Sequence, residues 1–166
     1  MFSSHPTADV ALGVLEHPPG YLLNIVPTLT TECPKIGERI VAVAYDKGTH
    51  QRNRQISIEL KYMSGRFEYA HPTGRDSFML PFPCYRTSIV IPGGASGGPV
   101  FDARGRAFGI NCTGYEGTAV SYLARVEEVL SLVAYRMMLG PNQPPTDRTL
   151  LQLAQTGHVL FSPKIS

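Results

Sequence analysis

Gly93-Gly94-Ala95-Ser96-Gly97-Gly98-Pro99-Val100-Phe101-Asp102 sets one serine among four glycines and then runs into a β-rich segment. Amide or ester hydrolysis by serine needs a hydroxyl standing clear of its neighbours and backbone N–H groups aimed where an oxyanion forms. Glycine permits both. A side chain at Gly94 would intrude on a substrate carbonyl, so its absence lets the N–H groups of Gly94 and Ser96 converge. Ser96 is the candidate nucleophile, and those two amides are the candidate oxyanion hole.

Downstream, Pro99-Val100-Phe101, the turn Asp102-Ala103-Arg104-Gly105 and Ala107-Phe108-Gly109-Ile110 read as a hairpin. Upstream, Ile56, Ile58, Leu60 and Tyr62 alternate with Ser57, Glu59 and Lys61, as in a strand with one wet face. Ser64-Gly65 is expected to turn the chain into a return strand over residues 66–70. Residues 77–80 and 85–91 are expected to supply two more strands, and 38–45 another. Toward the N-terminus, the apolar runs 8–15 and 21–26 flank His17-Pro18-Pro19-Gly20, which reads as strand, turn, strand. Near Val126 the period changes. Val126, Val129, Leu130, Val133 and Met137 fall at helical spacing, with Glu127 and Glu128 in the first turn and Gly140-Pro141 closing the run. Residues 146–156 are expected to form a short terminal helix capped by Thr146 or Asp147.

The whole chain, 166 residues with 43% hydrophobic and 17% charged side chains and a formal net charge of +2, suits one well-buried domain. That composition fits a soluble globular protein and points to neither a nucleic-acid nor a membrane partner. Gly 16 and Pro 14 fall mostly between short apolar runs, which favours an all-β body. Cys33, Cys84 and Cys112 are too few and too scattered for a disulfide framework or a zinc-ligand pattern. No metal or cofactor is expected, and no compartment is indicated.

Gly94-Ala95-Ser96-Gly97-Gly98-Pro99-Val100-Phe101-Asp102, followed by Gly105 and Gly109-Ile110, resembles the active-serine region of the chymotrypsin-like (trypsin-like) serine peptidases. The resemblance spans roughly residues 8–135 and implies a six-stranded antiparallel β-barrel with a C-terminal helix, plus remnants of a first barrel. It implies a division into the end of that first barrel (1–26), an interdomain linker (27–37), the second barrel with its helix (38–139) and a tail (140–166). It also implies that Asn111-Cys112-Thr113-Gly114 pairs with a bound peptide, making Cys112, Thr113 and Gly114 substrate-binding residues. Asp9, in Asp9-Val10-Ala11-Leu12, stands where the family carries its catalytic aspartate. Val90, six residues before the serine, stands at the floor of the specificity pocket.

The sequence departs from the family in three ways. Only eight residues precede Asp9, so the family's histidine, a few dozen residues earlier, has no counterpart. His5 is expected to be solvated, and His17, His50, His71 and His158 match no family position. A fragment with negligible peptidase activity on its own is the simplest expectation, acting on peptide or protein substrates once joined to a missing N-terminal segment. Ala95 replaces the aspartate that pairs with a newly cut N-terminus in zymogen-derived members, so a constitutively shaped site is expected. Val90 offers no charge to hold Arg or Lys, so a trypsin-type preference is not expected. Two rival readings remain: a catalytically dead peptide-binding module, and an α/β-hydrolase esterase using Ser96, Asp147 and His158. Against the second, Gly97-Gly98-Pro99 leads into a strand and not into a helix.

Overall fold

The computed structural model describes residues 2–14, 26–47, 58–115, 117–140 and 142–163. In chain order the elements are β1 (Phe2–Ser4), β2 (Ala11–Gly13), β3 (Thr28–Leu29), β4 (Arg39–Lys47), β5 (Ile58–His71), β6 (Cys84–Thr87), β7 (Pro99–Phe101), β8 (Arg106–Gly114), β9 (Ser121–Arg125), α1 (Val126–Leu130), β10 (Val133–Met137), β11 (Thr146–Thr149) and α2 (Leu150–Gln155). Strands β4, β5, β6, β9, β8 and β7 pair antiparallel in that order, and the β4–β7 ladder closes them into a six-stranded barrel. β3 lies parallel to the start of β8, outside the closed ring.

The alternation of β4 explains its placement. Ile40, Ala42 and Ala44 are buried, and the residues between them are not. The barrel interior gathers Ile40, Ala42, Phe67, Tyr85, Ile89, Val100, Phe108 and Leu123. Phe67 sits at its centre, edge-on to Tyr85 at 5.4 Å and to Phe108 at 6.2 Å, the geometry that aromatic quadrupoles favour.

A second apolar cluster covers the outside of β8 and β9. It joins Ala8 and Val10 to Cys84, Cys112, Tyr122 and Ala124, and to Val129, Leu132, Leu150 and Leu153. β9 therefore has apolar contacts on both faces, which is why residues 121–124 are all buried. The small sheets β1–β2 and β10–β11 flank this cluster.

The hairpin of residues 99–110 forms as its sequence predicts. Asp102 Oδ1 accepts the N–H groups of Arg104 and Arg106 at 2.9 Å each, and Gly105 takes the positive φ of 75° that the turn requires. Arg106 also bridges Asp102 Oδ2 and Glu32 Oε2, each at 2.7 Å, tying residues 26–37 to the barrel.

Other expectations are corrected. Ser64-Gly65 is no turn, because β5 runs straight through it. Gly65 lies against the chain at Ser88 and Ile89, where an added Cβ would come within 2.8 Å of the Ile89 nitrogen. Residues 77–80 form no strand. They wrap around Asp76, whose Oδ1 takes the N–H groups of Phe78 and Met79. The helix at Val126 ends at Leu130, and Val133 begins a strand, because β11 offers residues 133–137 a partner ladder. The terminal helix starts at Leu150, not near Thr146. Thr149 caps it with a reciprocal capping box to Gln152, so neither Thr146 nor Asp147 is the cap. The turn at residues 17–20, the run 21–25 and residues 55–57 lie outside the described residues. No described helix is long and apolar enough to cross a membrane.

Candidate active site

Ser96 is exposed on the loop between β6 and β7. The Ala95 N–H donates to Pro92 O at 3.3 Å, and Gly94 has a φ of 94°. An i to i+3 bond with a positive φ at the third residue is the type II turn, which only glycine adopts without strain. Gly97, with φ 87°, makes the second sharp change of direction, just after the serine.

The loop is fastened to β8 by a short ladder. Gly97 N–H donates to Asn111 O at 2.8 Å, and Asn111 N–H donates to Gly98 O at 2.9 Å. The buried side chain of Asn111 adds a third tie, donating from Nδ2 to Ala95 O at 3.1 Å. Gly98 must lack a side chain here, because an added Cβ would lie 2.5 Å from Val43 O. Among the described residues, neither the Gly94 nor the Ser96 N–H donates to another backbone group. Both remain available to an incoming oxygen. The Ser96 hydroxyl donates to Cys112 O at 2.9 Å.

A cavity of about 230 Å³ opens beside Ser96, walled on one side by Ile91, Pro92 and Gly93 and on the other by residues 111–114. Its lining carries one ionisable group, the Cys112 thiol, and burial pushes that group up to about 12. The cavity is thus neutral at physiological pH. Val90 does not line it. Ile89 turns into the barrel core, which sends its neighbour Val90 outward, 52% exposed. Ile91 occupies the wall in its place.

Residues 112–114 present an edge of backbone next to this cavity. On one side Thr113 and Gly114 pair with Tyr122 and Ser121 of β9, after an irregularity at Cys112. On the other side the β7 ladder ends at Ile110. A wider hollow of about 1000 Å³ lies across the serine loop, against Val43, Tyr45, Leu60 and Phe101.

Asp9 reaches this region by its main chain. Cys112 Sγ donates to Asp9 O at 3.8 Å, and the carbonyl of the same Cys112 accepts the Ser96 hydroxyl. The Asp9 side chain is exposed. No described histidine hydrogen-bonds to Ser96 or to Asp9. His5 is not simply solvated: its Nδ1 accepts the Ala8 N–H at 2.9 Å, and its Nε2 lies 3.8 Å from Glu128. His158 shares a bond with Thr156, and His71 packs between Tyr69 and Tyr122. His17 and His50 fall outside the described residues. Asp147 accepts the Arg136 N–H on the far sheet, so the esterase constellation of Ser96, Asp147 and His158 does not assemble. Among the described residues no group of three or more His, Cys, Asp or Glu side chains is arranged to hold a metal ion.

Sequence reasoning placed Asn111 in the peptide-pairing stretch and missed that its side chain braces the serine loop. A polar residue in an otherwise apolar strand run was the available signal. It also missed Ile91, because the position of a wall depends on where the chain bends after β6.

The trypsin-like peptidase domain family matches residues 1–110. Several solved protease structures are similar in fold. The active form of the Rv3671c protease from M. tuberculosis is 21% identical over 62% of this chain and 44% of that one, with a TM-score of 0.47. Deg5 is 21% identical over 67% and 47%, with a TM-score of 0.48. The HtrA-type protease AlgW, solved with a decapeptide, is 19% identical over 64% and 32%, with a TM-score of 0.48. The chain spans a third to a half of the length of these solved chains. No curated protein sequence matches it.

Proposed function

Because the chain belongs to the trypsin-like peptidase domain family, we propose that it is the serine-bearing part of a peptide-bond hydrolase, with Ser96 as nucleophile and the Gly94 and Ser96 amides as oxyanion hole. The observation that carries this reading is the coincidence at one point of an exposed hydroxyl, two N–H groups without a backbone acceptor among the described residues, a neutral cavity and a strand edge beyond the end of the β7 ladder at Ile110. A peptide adding to the edge at Cys112, Thr113 and Gly114 by strand addition would bring its scissile carbonyl to Ser96. Attack by Oγ would then move negative charge onto the carbonyl oxygen, where the two amides donate.

The attack also requires a base to accept the hydroxyl proton and later return it to the leaving amine. Asp9 is proposed to orient an imidazole for that purpose. No described histidine stands at Ser96, so peptide binding is expected to exceed turnover by the isolated chain. The neutral cavity favours an uncharged side chain, and the buried methyl of Ala95 fits a site shaped without proteolytic activation.

Measured hydrolysis of a mixed peptide library by the purified chain should be indistinguishable from that of Ser96→Ala. Peptide boronic acids, which form a tetrahedral adduct on serine, should still bind the wild type and bind Ser96→Ala more weakly. Hydrolysis abolished only by Ser96→Ala would show that the chain carries its own base. Equal binding to both would favour the pure peptide-binding module, for which the resting bond from Ser96 to Cys112 is the supporting observation.

A further inference from the structure

Next to the cavity at Ser96, and sharing Thr113 and Gly114 with it, lies a second hollow of about 130 Å³ bounded by Arg75, Met79, Tyr115 and Tyr122. We propose that this hollow is a side-chain subsite that takes the carboxylate of an Asp or Glu in a bound peptide, upstream of the residue held in the first cavity. The proposal rests on the peptide-binding reading above and adds to it a specificity determinant, Arg75.

The guanidinium of Arg75 is held in place before any ligand arrives. Its Nε donates to Asp76 Oδ2 at 2.6 Å, its Nη1 donates to the Tyr115 hydroxyl at 3.0 Å, and its head stacks 4.7 Å from the Tyr122 ring centre. Such anchoring removes most of the rotamer entropy that an arginine otherwise loses on binding. Asp76, Tyr115 and Tyr122 each engage it, and its five N–H donors exceed these three partners.

Asp76 stays ionised beside Arg75, so the hollow would offer a ligand carboxylate directed N–H donors on the far edge of the guanidinium, with its charge partly offset by Asp76. Its Oδ1 faces the N–H groups of Phe78 and Met79, and these bonds together with Arg75 hold its carboxyl well below the usual carboxylate range. The other titratable group packed on Tyr122 is His71, held below its ordinary value by burial and by the nearby Arg75 and Arg86. Among the described residues, no carboxylate lines the hollow itself.

Size and position agree with the charge. The hollow has the volume of about four waters, close to the four or five heavy atoms of an Asp or Glu side chain. Met79 and Tyr115 form an exposed apolar rim that the methylene groups of such a side chain would cover. Along β8 the serine is bonded at Cys112, and Tyr115 follows the strand's end. An antiparallel peptide therefore meets Tyr115 with residues N-terminal to the scissile bond, about two or three residues back at a rise of about 3.3 Å each.

The test is fluorescence anisotropy with labelled hexapeptides ending in an alanine boronic acid, carrying Glu, Gln or Lys at the second, third or fourth residue before the boronate. The expected result is that Glu at the third or fourth residue binds the wild type at least about fivefold more tightly than Gln, with Lys weakest. This preference should shrink at high salt, disappear in Arg75→Gln and persist in Arg104→Gln, an exposed arginine on the turn between β7 and β8. Equal binding of the Glu and Gln peptides at every position overturns the subsite while leaving peptide binding intact, and that comparison needs no variant. A preference that survives Arg75→Gln also overturns it. Failure of every peptide to bind the wild type would instead remove the peptide-binding reading itself, and the subsite with it.

Discussion

Asn111 holds the serine loop by three hydrogen bonds, two from its backbone and one from its buried side chain to Ala95 O. Asn111→Ala keeps the first two and deletes the third, leaving Ala95 O to the Gly98 N–H alone. A loss of about 1–3 kcal/mol is expected in urea unfolding, with weaker boronate binding because the Gly94 turn loosens. Cys112 gives a prediction in pH. Burial raises its thiol from 9.0 to about 12, whereas the unfolded chain ionises it near its ordinary value. Alkaline pH therefore favours the unfolded state. The stabilisation is complete below pH 9 and should fall by about 1.4 kcal/mol per pH unit from there toward 12, a slope that Cys112→Ala should reduce in pH-dependent urea titrations. The serine loop was legible in the sequence because its glycines answer local demands of φ and space. Val90 and Arg75 were not, since what each side chain faces depends on bends after β6 and β5 that no neighbouring residue announces.

At the scale of elements, β5 shows one signal with two physical meanings. Ser-Gly reads as a turn when only local conformation is weighed, yet Gly65 is needed because the backbone at Ser88 and Ile89 crosses the strand there. Gly65→Ala should accordingly cost about 1–3 kcal/mol in thermal unfolding, by overpacking against backbone that cannot swing aside. A true turn glycine with negative φ would tolerate the same change. The helix beginning at Val126 was legible at its start and not at its end. Val133 and Met137 continue the helical spacing, but they lie on a strand that pairs with β11 across residues 138–145, a partner that helical periodicity does not register. The hairpin of β7 and β8 could be read completely because its ladder, its turn and its aspartate cap all fall within a dozen residues.

At the scale of the whole molecule, barrel closure joins β4 to β7 across more than fifty residues, and periodicity alone does not reveal which strands meet. The family resemblance implied a closed six-stranded barrel without saying which strands meet. The cluster outside the barrel depends on Leu150 and Leu153, which pack with Val129 and Leu132. Deleting residues 142–166 should remove about 3–6 kcal/mol through those two leucines alone and produce a species that binds hydrophobic dyes, measured by fluorescence against the full chain. Closure also separates two clocks at the serine. Its hydroxyl is exposed and rests on Cys112 O by a single rotatable bond, so its reorientation is a matter of picoseconds to nanoseconds. The loop that carries the Gly94 turn is stitched to β8 through Ala95, Gly97 and Gly98, and its displacement as a unit requires those bonds to Asn111 to open, on the far slower scale of local unfolding. On the proposed reading, the nucleophile would be the quick part of the site and the oxyanion amides the slow part, so a chemical partner able to take the proton would find those amides already in place.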